Sequence, residues 1–141
     1  MATVPIRQLS AQAVSHAVIT AAMKVHTELG PGLLESAYQA CLQHELHQAG
    51  FRSDSQVGLP VVYKETKLEL GYRMDLLVED LVVVEIKSVE FISPVHRAQV
   101  ISYLKLSGKS IGLLMNFNVV HLKDGIKRFV NGDGWKEEKG F

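Results

Sequence analysis

Between Ser10 and Leu29 the apolar residues Val14, Val18, Ala21, Val25 and Leu29 recur every three or four positions, the spacing of one helix face. Ser10 stands where an N-cap belongs. Gly30-Pro31-Gly32 then breaks the chain, and a second helix is expected from Leu33 to Ala49, stopped by Gly50. After Gly50 the period changes. Val57–Tyr63 and Lys67–Leu70 read as strands around a turn at Lys64-Glu65-Thr66. Tyr72–Val78 and Leu81–Ser88 read as two more, joined tightly at Glu79-Asp80. The β-branched run Val82-Val83-Val84 marks an interior strand covered on both faces. Pro94 precedes a third helix, Val95–Leu106, ended by Gly108. Ile111–Met115 and Val119–Leu122 are expected as strands, with a short one at Lys127–Val130. Residues 131–141, charged and glycine-rich, are expected to fray as a flexible tail. The order predicts an α/β (α+β) fold: one mixed sheet flanked by helices, with an N-terminal helical pair, in one domain over residues 1–130.

Composition narrows the function classes. The chain has 141 residues, of which 47% are hydrophobic, enough for a substantial core without disulfides. A single cysteine, Cys41, excludes a disulfide scaffold and a four-cysteine zinc site, and points to a reducing, cytoplasmic setting. No apolar run is long enough to span a membrane, and Met1–Ser10 lacks the pattern of a secretory signal. Fifteen Lys and Arg balance fifteen Asp and Glu, so charge alone does not coat nucleic acid with this chain. The balance is uneven along the sequence. Residues 51–90 carry five basic against eight acidic side chains, and residues 91–141 carry eight against four. An acidic middle beside a basic end suits a cation site next to a polyanion site.

The chemistry concentrates between Tyr72 and Lys87. On a strand, Glu85 and Lys87 share a face and Val84 and Ile86 the other. The turn decides where Asp75 points. A two-residue turn at Glu79-Asp80 pairs Asp75 with Val84; one residue more, or a bulge, pairs it with Glu85. In the second register two carboxylates and an amine meet at the end of an apolar strand. Buried charges are costly unless paired or bound to metal, and adjacent carboxylates repel without a cation between them. An all-oxygen pair of this kind, with the Ile86 carbonyl nearby, suits Mg²⁺ or Mn²⁺. Lys87 is then placed to orient water or offset charge on a phosphate. A plain cross-strand ion pair is the alternative. Glu35 adds to the case for metal. Tyr38, Leu42 and Leu46 follow it at +3, +7 and +11, so it opens the apolar stripe of its helix and is expected to point at the sheet. Its own alternative is a favourable interaction with the helix dipole.

Gly32-Leu33-Leu34-Glu35-Ser36-Ala37-Tyr38 resembles the signature of the small bacterial GxxExxY proteins. Asp75 with Glu85-Ile86-Lys87 resembles the D…ExK core of the PD-(D/E)XK nucleases, and Gln99-Val100-Ile101-Ser102-Tyr103 resembles the QxxxY helix of their RecB-like branch. Gly112-Leu113-Leu114-Met115-Asn116-Phe117 is similar to the strand that follows that helix. The resemblance implies a PD-(D/E)XK nuclease-like core and metal-dependent cleavage of phosphodiesters in nucleic acid, DNA ahead of RNA, and it favours the register that sets Asp75 beside Glu85. It implies Glu35, Asp75 and Glu85 as metal ligands for Mg²⁺ or Mn²⁺, and Lys87 as the catalytic lysine. Gln99 and Tyr103, one helical turn apart, would be an accessory catalytic pair. Met74 stands where the family name has proline.

A module that keeps this fold without cutting, and binds nucleic acid or protein, is the competing expectation, as is a metal-dependent enzyme acting on a small phosphorylated substrate. A homodimer presenting two sites would compensate for the few insertions that 141 residues allow. His44 and His47 read as solvated helix positions, His96 as a helix-start residue and Cys41 as core packing. Lys123, Lys127 and Arg128 form a basic cluster that reads equally well as a nucleic-acid track or as a lysine-protected edge strand.

Overall fold

The computed structural model describes residues 8–132 and 134–138. Helices α1 (Ala11–Leu29) and α2 (Glu35–Gln48) come first, then strands β1 (Ser53–Gly58), β2 (Val61–Tyr63), β3 (Thr66–Leu68), β4 (Arg73–Val78) and β5 (Val82–Lys87). Helix α3 (Pro94–Ser107) leads to β6 (Ile111–Asn116), a 3₁₀ turn at Leu122–Gly125, β7 (Ile126–Gly132) and β8 (Gly134–Glu138). The main sheet has the order β1-β4-β5-β6-β7-β8, and β2-β3 forms a separate hairpin. Only β5 and β6 run parallel within the sheet, as the α3 crossover between them requires.

The expected elements appear with small shifts at their ends. Ser10 caps α1, its side chain accepting from Ala13 N at 3.0 Å. Ser93 caps α3 in a capping box with His96, and Gly108 ends it in a left-handed conformation (φ 74°). That box gives His96 a structural role. The run Val82–Val84 is interior as expected: β5 is third of six strands, and all three valines are fully buried.

Three expectations differ. Val57–Tyr63 is not one strand. Pro60 removes a donor, the chain breaks at Leu59-Pro60, and only β2 continues into the hairpin. The first half starts earlier, at Ser53, because β1 is a polar edge strand whose exposed residues carry no apolar signal. Val119–Leu122 is not a strand. Leu122 is buried and Val119 packs half-buried against the core, with Val119 O bonded to His26 Nε2 at 2.8 Å, while Val120 is exposed. Just beyond, the backbone at Gly125 presses so closely on Asn116 O that a Cβ would stand 2.2 Å from it. The stretch 131–141, expected to fray, instead completes β7 and forms β8 up to Glu138; residues 133 and 139–141 lie outside the described residues. β8 therefore covers β7, which excludes the edge-strand alternative for the basic cluster. Arg128 pairs with Glu138, and Phe129 is buried.

The sheet separates two cores. On one side α1 and α2 pack Val14, Val18, Val25, Tyr38, Leu42 and Leu46 against Leu76, Val84, Ile86 and Met115; the half-buried Cys41 joins this core. On the other, α3 packs Val100, Tyr103 and Leu104 against Leu77, Val83 and Leu114. Gly112 lets α3 lie close, since a Cβ there would stand 2.9 Å from both Val100 and Leu104 side chains. By the alternation of a strand, Glu85 and Lys87 lie on the Val83 face, the side of α3.

Candidate active site

The β4–β5 turn settles the register. Val78 pairs with Val82, Leu77 with Val83 and Leu76 with Val84, so the connection is the longer one, residues 79–81. Glu79 and Asp80 are both left-handed (φ 52° and 57°), and Leu81 N donates to Val78 O at 2.9 Å. Counting back, Asp75 falls opposite Glu85. The regular pairing ends at Leu76–Val84, and the two carboxylates take over beyond it. Asp75 N donates to Glu85 Oε2 at 3.0 Å, and Ile86 N donates to Asp75 Oδ2 at 2.8 Å. Each side chain thus satisfies the backbone of the opposing strand, and the two are locked together.

Glu85 is 2% exposed. Burial, together with the adjoining Asp75 carboxylate, pushes its carboxyl up to about 9 from an ordinary 4.5; Lys87 acts against this, more weakly. Two carboxyl groups this close disfavour the doubly ionised form. Burial also raises the Tyr103 hydroxyl, with the charge of Glu85 second.

From β5 the site runs to α3. Lys87 Nζ donates to Gln99 Oε1 at 3.0 Å, and Gln99 Nε2 donates to Tyr103 OH at 3.1 Å. Gln99 and Tyr103 lie four residues apart, so one face of α3 carries both. The lysine is held at its tip by a chain anchored in the core, where Tyr103 is 6% exposed. Tyr72, just before β4, meets the Tyr103 ring edge-on with centroids 6.4 Å apart.

Glu35 sits differently from Asp75 and Glu85. Its helix stripe is buried as expected, with Tyr38, Leu42 and Leu46 all at 0%, but Glu35 itself is exposed at the start of α2. Its Oε1 accepts from Ser88 N at 3.3 Å, one residue beyond Lys87. Ser88 Oγ donates to Leu33 O at 2.6 Å, so the α1–α2 loop is clasped to the end of β5. Tyr38 pins the same loop from inside: its hydroxyl donates to Gly30 O at 2.6 Å and accepts from Leu33 N at 3.1 Å. Its ring stacks on Phe117 at 4.5 Å. Across β5, buried Asn116 holds the outgoing loop by accepting from Val89 N at 3.0 Å and donating to Val89 O at 2.9 Å. The structure therefore joins Asp75 with Glu85, and Lys87 with Gln99 and Tyr103, in two hydrogen-bonded sets that meet at β5. Glu35 is tied to the neighbouring loop.

Among the described residues no three His, Cys, Asp or Glu side chains are grouped to hold a metal ion. The donor chemistry still suits a hard cation. Mg²⁺ characteristically takes one or two carboxylates and completes its shell with water and substrate phosphate. Asp75 and Glu85 supply that pair, each with one oxygen on a backbone N–H.

Sequence patterns did not reveal Gln39 and Gln56. Gln56 Nε2 donates to Gln39 Oε1 at 3.0 Å and lies 3.4 Å from Asp75 Oδ1. The one available signal was that Gln39 follows Glu35 by four residues, on the same helix face. Asn116 was visible only as the polar residue closing an apolar strand. A broad cleft of about 1190 Å³ lies elsewhere, between the start of α1 and strands β7 and β8, and includes none of these residues.

A six-stranded mixed sheet with helices on both faces, and an Asp facing a Glu-x-Lys strand, defines a nuclease-like class. A family model described as the PD-(D/E)XK nuclease superfamily matches residues 12–129, and the chain belongs to that superfamily. Searches of curated proteins and of solved structures found no match. No helix among the described residues is long and apolar enough to cross a membrane.

Proposed function

We propose that the protein is a divalent-metal-dependent nuclease that hydrolyses phosphodiester bonds in nucleic acid, DNA ahead of RNA, within the GxxExxY group of its superfamily. One observation carries this reading: Asp75 and Glu85 face each other at the end of the β4–β5 pairing, with Lys87 on the Glu85 face. A cross-strand ion pair does not account for it, because Lys87 is bonded to Gln99 and not to either carboxylate.

Asp75 and Glu85 would hold Mg²⁺ or Mn²⁺, while Glu35, bonded to Ser88 N, would act from the neighbouring loop and not as a third ligand. A bound ion would supply Lewis-acid polarisation of a phosphoryl oxygen and a more acidic water. The chain's own residues do the rest. Lys87 offsets charge developing on the phosphate or orients the attacking water, and Gln99 fixes where its Nζ points. Tyr103 holds Gln99 from the core side of α3. The clasp between Ser88, Leu33 and Glu35 sets the approach to the strand end.

Cleavage of single- and double-stranded DNA and of RNA, with Mg²⁺ or Mn²⁺, tests the reading in wild type, Asp75→Ala and Lys87→Ala. Loss of a transition-state contact of this kind costs on the order of 10²–10³ in rate. The expected result is cleavage by wild type and at least that loss in each variant, with folding unchanged. Full activity in either variant would sink the assignment. The zero net charge favours one second reading, a regulatory module that binds without cutting. Metal binding with no turnover on any nucleic acid would support that one.

A further inference from the structure

We infer that Gln56, braced by Gln39, is a positioning residue that sets the orientation of the Asp75 carboxylate for its ligand. The inference rests on the reading of Asp75 and Glu85 as the metal-holding pair.

The backbone shows it first. β1 pairs with β4 at Ser55–Leu76 and again at Val57–Met74, and Gln56, opposite Asp75, is left out of that pairing. It takes a left-handed conformation, φ 50°, in the middle of a strand. Residues other than Gly, Asn and Asp rarely accept that region, because the Cβ crowds the backbone. Packing gives no reason for it, since Gln56 is exposed. Strain of this kind in an exposed strand is a pointer to function when it aims a side chain.

The aim of the side chain supplies the second observation. Nε2 carries two hydrogens, and it reaches Gln39 Oε1 at 3.0 Å and Asp75 Oδ1 at 3.4 Å. The Gln56 carbonyl accepts from Arg73 Nη1 at 3.3 Å, which steadies the kink. The other Asp75 oxygen, Oδ2, accepts from Ile86 N. Both oxygens of Asp75 are thereby located, and a carboxyl that would otherwise swing about a broad torsion is held in one plane. The helix side chain that reaches the pair is thus Gln39, through Gln56, while Glu35, one turn earlier, serves Ser88.

Gln56→Gly separates this role from a merely structural one. Glycine accepts φ 50° without crowding but carries no amide. The melting temperature should be no lower than wild type, while the Kd for Mn²⁺ alone, measured by calorimetry, weakens 10- to 100-fold, the usual penalty for losing a residue that orients a metal ligand. Gln39→Ala should weaken Mn²⁺ binding less, because Gln56 keeps its contact with Asp75. A Gln56→Gly variant that binds Mn²⁺ with wild-type Kd would overturn the inference. So would a lower melting temperature accompanying weaker binding, which marks a structural residue. Wild type that binds no Mn²⁺ would remove the site reading and this inference with it. Wild type that binds, fails to bind as Asp75→Ala, and still binds fully as Gln56→Gly would remove the inference alone.

Discussion

The two ends of the β4–β5 hairpin are built from neighbouring residues and do opposite work. At the turn end, Leu76 to Val78 pair in register with Val82 to Val84, and all six side chains are buried and apolar. At the other end, one residue further along each strand, the pairing stops and Asp75 and Glu85 take its place. The first end stabilises the fold through burial, worth roughly 1.5–3 kcal/mol for each such side chain. The second leaves two carboxyl groups side by side in a poorly hydrated place, where one of them keeps a proton. The contrast shows how a fold supports a reactive site: the apolar, regularly paired half holds the two carboxyl groups in place.

Adjacent substitutions on β5 break the comparison most sharply. Val84→Asp puts an unpaired carboxyl where Val84 is fully buried, and should leave little folded protein, a loss of more than ~3 kcal/mol. Glu85→Gln, one residue on, keeps an oxygen for Asp75 N and should fold like wild type while losing Mn²⁺ binding. Circular dichroism melts of the two variants check this, and equal melting temperatures would erase the distinction between the two ends.

A smaller effect is expected at the loop clasped to the strand end. Tyr38→Phe keeps the stack on Phe117 but removes the bonds to Gly30 O and Leu33 N. It should cost about 1–2 kcal/mol in chemical denaturation, since both hydrogen bonds of the Tyr38 hydroxyl are lost. A cost near zero would mean that the loop is held by Ser88 alone.

A separate test is the pH dependence of the metal-free protein. The Glu85 carboxyl titrates near 4.5 when unfolded and about 9 when folded. Between those values the folded state holds a proton that the unfolded state has released. The contribution is therefore complete below pH 4.5 and is lost as pH rises towards about 9. The melting temperature of wild type relative to Glu85→Gln should fall across that window. A difference that is flat or rises with pH would contradict the assigned environment of Glu85.

Much of this was legible in the residues. Helical spacing located α1, α2 and α3, because each buries one stripe against the sheet. The β-branched run marked β5 as central. Asp75, Glu85 and Lys87 stood out because charged residues flank an apolar strand. The register was not legible: it hung on one residue in the turn, and Glu79 and Asp80 are both compatible with left-handed geometry only at a cost that no local pattern announces. β1 and β8 were hidden because they are polar strands at the two edges of the sheet, where pairing is by backbone and side chains need not be apolar. Gln56 was hidden for a related reason, since its role comes from a departure from strand geometry. Glu35 was expected to point at the sheet from the head of the buried stripe; it is exposed, and helix periodicity could not show that its carboxyl turns to Ser88.

The central claim is that Asp75 and Glu85 together receive a divalent cation. Calorimetric titration of Mn²⁺ into wild type and into the Asp75→Ala/Glu85→Ala double variant tests it most directly. The account predicts saturable binding by wild type that disappears in a double variant of unchanged fold. Equal binding by both, or none by well-folded wild type, would contradict it.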